Sequence, residues 1–221
     1  MIKLTDIEFT YGENSFRLHI PLLEITSGDT LAITGRSGSG KSTLLNIISG
    51  ILIPQSGQVQ IDEVTLSDYP FADRQDFRLL KMGLVFQEFE LLEYLDLLDN
   101  VLLPYYMSPL LELTPEVKDR AGDLLTLVGL EEKNNRKPAN LSQGERQRVA
   151  VCRALVTQPP LVLSDEPTGN LDAGNRDIVI NALTTYAEEF GATLVVVTHD
   201  MELIPSFQSR LDMGEFINNK I

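Results

Sequence analysis

The chain has 221 residues, of which 43% are hydrophobic and 23% charged, with a formal net charge of −14. Length and balance suit a soluble globular fold with a substantial core, and the acidic surplus argues against a protein that holds nucleic acid or an anionic membrane over a basic face. Cys152 is the single cysteine, which excludes an intrachain disulfide and a metal cluster of cysteine ligands; beside Val151, Ala154 and Leu155 it reads as a small core residue.

The start, MIKLTDIEF, alternates like a strand and lacks the positive-then-apolar order of a signal peptide. No apolar run approaches the length of a membrane span, so the expected location is the cytoplasm. Strands are expected at residues 2–9, 16–20, 31–34, 58–61, 84–86, 161–164 and 193–198. Helices are expected at 41–49, 115–128, 145–156 and 175–190. In the second helix Thr114 can cap, Pro115 suits the first turn and Gly129 can end the element; Gly191 can end the last. Strand-type segments dominate both ends of the chain, whereas 88 to 157 read almost wholly helical. Buried strands such as LVLS and TLVVVT, each next to a helix, imply a mainly parallel sheet. The expected organisation is one α/β domain, with residues 1–87 and 158–221 as its core and 88–157 as an inserted helical subdomain.

The chemistry sits at strand ends. GRSGSGKST follows the apolar strand LAIT and opens a helix, which is the full G-x-x-x-x-G-K-[ST] phosphate loop in its strand–loop–helix setting. Gly35, Arg36, Ser37, Gly38, Ser39 and Gly40 wrap the phosphates of ATP with backbone N–H groups, and the helix N-terminus adds its positive end. Lys41 is expected at the β- and γ-phosphates, Ser42 at Mg²⁺, and Thr43 in the first helical turn. Gln87 ends the strand MGLVFQ within reach of metal and water. Further on, LVLSDEP delivers Asp165 and Glu166 to a strand end, Asp165 to support Mg²⁺ and Glu166 to orient or deprotonate an attacking water. His199 ends the strand ATLVVVT and is expected at the γ-phosphate.

One stretch is redundant for a single site. In LSQGERQRVAV, Ser142 and Glu145 have the spacing of a helix capping box, and Gly144 leaves backbone N–H groups open to an anion. A second phosphate cradle in one chain raises the question of what it serves.

Tyr11, GRSGSGKST, VFQ, LSQGERQRVAV, LVLSDEPTGNLD and the His199 turn, in that order, resemble the nucleotide-binding subunit of ABC transporters over nearly the whole chain. The resemblance implies a P-loop NTPase core with an N-terminal antiparallel β region and an inserted helical subdomain. It implies an ATPase working as a head-to-tail homodimer on ATP binding, the signature residues Leu141, Ser142, Gln143, Gly144 and Glu145 of one copy covering the ATP held by the other. It implies further that Tyr11 stacks on adenine and that Asp172 lies at the dimer interface. The family's usual signature is LSGGQ; Gln143 and Glu145 depart from it, while Ser142 and Gly144 are kept. SDEPTGNLD and GLVFQEFELLEYLDLLDNVLLP look like the lipoprotein-releasing and macrolide-exporter group, which implies an exporter's motor held at the cytoplasmic face of the inner membrane by a permease.

That permease is expected to dock near residues 87–104. Glu88, Glu90, Glu93, Asp96 and Asp99 are interleaved there with Phe89, Leu91, Leu92, Tyr94 and Leu95 and with no basic residue, which suits a basic docking helix. A soluble ATPase of the same family, serving iron–sulfur cluster assembly, is the alternative that the motifs leave open.

Overall fold

The computed structural model describes residues 1–12, 16–169 and 171–216. In chain order its elements are β1 (Ile2–Thr10), β2 (Arg17–Ile25), β3 (Thr30–Thr34), α1 (Lys41–Ile48), β4 (Ser56–Ile61), β5 (Val64–Thr65), α2 (Phe71–Lys81) and β6 (Met82–Val85). There follow α3 (Leu97–Met107), α4 (Pro115–Leu127), α5 (Gln143–Leu155), β7 (Leu161–Asp165), α6 (Ala173–Phe190), β8 (Thr193–Val197) and β9 (Ser209–Asp212).

The strands form two sheets. One is antiparallel, in the order β2-β1-β4-β5, and the other has every pair parallel, in the order β6-β7-β8-β3-β9. Burial explains the difference. TLAIT and TLVVV are buried at every position, as strands covered on both faces must be, while β2 has exposed and buried residues interspersed. Side chains of the parallel strands alternate between two hydrophobic cores. Val162, Leu194 and Val196 join α3, α4, α5 and α6 on one face; Leu161, Leu163, Val195 and Val197 join α1 and the antiparallel sheet on the other. Cys152 belongs to the first core, fully buried, and burial pushes its thiol well above the usual range.

Because the five strands run the same way, the segments after β3, β6, β7 and β8 leave the sheet at one edge. That edge receives Gly35, Gln87, Glu166 and His199.

Elements with a strong period match the expectation to within a few residues. β5, β9, α2 and α3 do not announce themselves. α2 buries only Arg74, whose guanidinium donates to the carbonyls of Gly50 at 3.0 Å and Tyr69 at 2.5 Å, and α3 carries Pro104 inside it. Thr114 occupies the N-cap of α4 but makes no side-chain capping bond; Pro115 fills the first turn. Gly129 and Gly191 adopt left-handed φ of 70° and 62° at the ends of α4 and α6, where a side chain would be strained.

Candidate active site

The phosphate loop follows directly from β3. Gly38 and Gly40 have φ of 78° and 86°, and Gly40 is the N-cap of α1. A Cβ on Gly35 would meet Ser39 Oγ at 2.7 Å, so the loop closes on itself only with glycine there. Lys41 is buried, and its ammonium donates to the carbonyls of Gly35 at 3.0 Å and Arg36 at 3.2 Å. The charge is thereby held over a concavity of backbone N–H groups at a helix N-terminus, which is an anion site.

Asp165 ends β7. Burial raises its carboxyl above the usual range and the charge of Glu166 adds to this, against a hydrogen bond from Ser42. Its Oδ1 is buried without a hydrogen-bond partner. An orphaned carboxylate oxygen beside a serine hydroxyl fits a divalent cation. Among the described residues no cluster of three or more His, Cys, Asp or Glu can hold a metal alone, so the cation's remaining ligands would come from Gln87, phosphate oxygens and water.

Glu166 has a positive φ of 47°, an uncommon conformation for a residue other than glycine. It is held there by its own N–H donating to Val197 at 2.9 Å and by its carbonyl accepting from Gly169 at 3.1 Å. The bend turns the carboxylate to His199, whose Nδ1 lies 2.5 Å from Glu166 Oε2. A cavity of about 720 Å³ runs between these groups, with Lys41, Ser42, Gln87, Glu166, His199 and Tyr11 in its lining. The Tyr11 hydroxyl shares a hydrogen bond with Thr43 Oγ1 at 3.1 Å, and its ring stands edge-on to Phe9. Phe16, which the motifs do not mark, also lines the cavity.

The signature residues line no part of it. Leu141 is buried, and Ser142 caps α5 in a complete capping box: Glu145 N–H donates to Ser142 Oγ at 3.3 Å and Ser142 N–H to Glu145 Oε2 at 2.8 Å. Glu145 is also ion-paired to Lys133. Burial would raise its carboxyl, but Lys133 and the backbone of Ser142 hold it below the usual range. The departure at Glu145 thus serves the cap. Gln143, the other departure, is exposed in the first turn.

Gly144 is buried against α6: a Cβ there would meet Asn175 Cγ at 2.6 Å. Asn175 in turn holds Asp172, its N–H donating to Oδ1 at 2.9 Å and its Nδ2 to Oδ2 at 2.6 Å. These bonds keep the Asp172 carboxyl below the usual range. No motif reveals Asn175, since its role arises only where α5 and α6 cross.

Comparison with known proteins gives one answer. Residues 18–169 match the family model described as ABC transporter. The lipoprotein-releasing system ATP-binding protein LolD of Buchnera aphidicola subsp. Schizaphis graminum (strain Sg) is 38% identical over 221 residues, 99% of this chain and 96% of its own length. MJ0796, a bacterial ABC transporter cassette solved as a dimer, superposes with a TM-score of 0.87 at 38% identity, covering 97% of this chain and 95% of that one. Its dimeric post-hydrolysis state bound to ADP and Pi superposes with a TM-score of 0.87 at 36% identity, over 96% and 94% of the two chains. The cbiO1 protein of Clostridium perfringens, part of the cbiONQ transporter complex, gives a TM-score of 0.82 at 27% identity, over 96% and 83%. Matched over more than half its length by the family model and nearly end to end by these relatives, the chain belongs to the ABC transporter family as one of its ATP-hydrolysing cassettes.

Proposed function

We propose that this cassette is the motor of an exporter of the lipoprotein-releasing kind, and that two copies close head to tail on two ATP molecules. The observation that carries the reading is Glu166, bent by its positive φ onto His199 in the cavity shared with Lys41.

The phosphates enter the loop of Gly35 to Thr43, where Lys41 neutralises the β- and γ-oxygens and Tyr11 offers its exposed ring to the base. Water attacks the γ-phosphorus as the bond to ADP breaks, and Glu166 takes the proton that the water sheds. His199 orients that carboxylate and, being exposed, can turn to the γ-phosphate. Mg²⁺, held by Ser42, Asp165 and Gln87, would supply neutralisation of charge on the phosphate oxygens.

Ser142 and Gly144 are not among the residues that line this nucleotide's cavity. In a two-fold pair they complete the partner's site, with Asp172 at the same interface. MJ0796 is dimeric with ADP and Pi bound, which supports the arrangement. Binding of ATP then supplies the contacts that hold the pair closed, and loss of phosphate removes them.

The permease seat is a mainly apolar groove of about 710 Å³, lined by Phe86, Glu90, Leu103, Pro104, Met107 and Arg153 among others. It reaches from α2 and β6 to α3 and the C-terminal end of α5. Glu88 and Glu90 are exposed at its edge and suit a basic helix of the membrane subunit. Among the described residues no helix is long and apolar enough to cross a membrane; the partner supplies the crossing and holds the cassette on the cytoplasmic face.

The test is Glu166→Gln. It is expected to lower kcat about 10²–10⁴-fold and, with ATP, to run as a stable dimer in light scattering. An ATP-loaded variant that stays monomeric at micromolar concentration contradicts the head-to-tail reading.

A further inference from the structure

The turn that follows β8 carries His199, and the residue after it is tied down in three ways. Asp200 N–H donates to Thr198 Oγ1 at 3.0 Å, Asp200 Oδ1 accepts from Glu202 N–H at 2.9 Å, and Asp200 Oδ2 accepts from Arg176 Nη1 at 3.2 Å. The first two bonds are local to the turn. The third comes from another element: Arg176 stands in the first turn of α6, where its N–H donates to the Asp172 carbonyl at 2.9 Å. The same Nη1 reaches Glu202 Oε2 at 2.7 Å, and Nε reaches Asp177 Oδ1 at 3.2 Å. One guanidinium thus gathers three carboxylates, two of them on the turn. The side chains of Arg176 and Asp200 are only 22% and 27% exposed, so this pair is sheltered from the screening that makes an open surface pair worth little.

His199 needs such an anchor. Its side chain is 67% exposed, with Nδ1 on Glu166 Oε2 at 2.5 Å, and a ring so open is aimed by its backbone more than by packing. On one side of it Thr198 is buried and donates its N–H to the Ile33 carbonyl at 3.0 Å, which fixes that end to the sheet. On the other side stands Asp200. His199 is therefore suspended between a residue that the sheet holds and a residue that α6 holds. We propose that Arg176 is a positioning residue for hydrolysis, keeping the His199 ring on Glu166 through its grip on Asp200. The inference rests on the reading of Glu166 and His199 given above.

Steady-state ATPase and histidine spectra together separate this role from a merely structural one. Arg176→Ala is expected to lower kcat about tenfold, the scale of a sub-ångström misplacement, with KM for ATP unchanged. Arg176→Lys should recover part of the loss, since it returns the charge without the planar fork. The chain has two histidines, His19 and His199, so the ring nitrogens of each can be followed by NMR in isotope-labelled protein, with His19→Gln to assign them. Arg176→Ala should move the His199 signals and leave those of His19 in place. An unchanged kcat overturns the proposal, and so does a lower kcat with the His199 signals unmoved. Movement of both histidines, or a rise in KM in step with the loss of kcat, would make the clasp a prop for the fold and overturns it as well. If the alanine variant does not fold, Asp200→Asn removes the same ion pair at nearly constant shape and should give the same loss of kcat and the same movement of His199; a wild-type kcat there counts equally against the proposal. A His199→Ala protein that hydrolyses ATP at the wild-type rate would instead remove the reading of His199 on which the proposal stands.

Discussion

Gly144 shows how much a single missing methyl can hold. Its Cα faces the Asn175 amide so closely that alanine would force α5 away from α6 or push Asn175 off Asp172. Gly144→Ala is expected to leave ADP binding in the chain's own cradle intact while lowering ATP hydrolysis about 10²-fold, as a misplacement of about 1 Å does in an active site. Calorimetry and steady-state ATPase on one preparation check this; loss of ADP binding would show damage to the fold instead. Lys41, Asp165 and Glu166 were legible in the sequence because their neighbours along the chain fix where they stand. Phe16 and Asn175 were not. Each lies against a glycine far away in the chain, Gly40 and Gly144 respectively, and no local pattern records such a contact.

The element that presents the signature depends on its first turn. Glu145 joins the Ser142 cap to Lys133, and its carboxyl is depressed in the folded protein. A depressed carboxyl contributes stability that is complete above the ordinary glutamate value of 4.5 and is lost as pH falls through the lower, folded value. Glu145→Gln is expected to cost on the order of 1 kcal/mol near neutral pH. The gap to wild type should narrow as the pH falls below 4.5 in denaturant titrations; a constant gap would deny the carboxylate its part.

A second element-scale expectation concerns α3, where fully buried Asn100 accepts from Leu92 N–H at 2.8 Å and donates to the carbonyls of Leu92 and Asp96. Asn100→Ala strands these groups, at about 1–3 kcal/mol, and hydrogen exchange at the Leu92 amide should accelerate beyond that at the amides of β7. Helices such as α4 and α6 were readable from their stripes and terminal glycines. α2 and α3 were not, because one buries an arginine and the other carries a proline inside it, and neither leaves a clean period.

At the scale of the whole molecule, a mainly parallel sheet was legible from all-buried strands though its strand order was not, and the edge that gathers Lys41, Gln87, Glu166 and His199 follows from parallel pairing. Docking is less legible, since an acidic run can be a solvated face or a seat. In the proposed seat Arg153 donates to the carbonyls of Phe89 and Glu90 and its charge also acts on the Glu90 carboxylate, which is exposed like Glu88 beside it. Glu88→Lys with Glu90→Lys is expected to lower the ratio of permease-stimulated to basal ATPase several-fold; an unchanged ratio in vesicles would reject a basic docking helix. Affinity capture of Glu166→Gln with ATP from detergent-solubilised cells should bring down a multi-span membrane protein, whereas soluble partners alone would point to a role in cluster assembly.

That the signature turn lies outside the lining of the phosphate cavity in its own chain also has a genetic meaning. In the proposed head-to-tail pair, Lys41→Ala would spoil only the cradle that a copy offers, and Ser142→Arg only the cover that it lends. A pair of identical mutant copies has two broken sites in either case. A mixed pair concentrates both lesions in one site and leaves the other whole. Two alleles, each inactive alone, should therefore complement one another when expressed together.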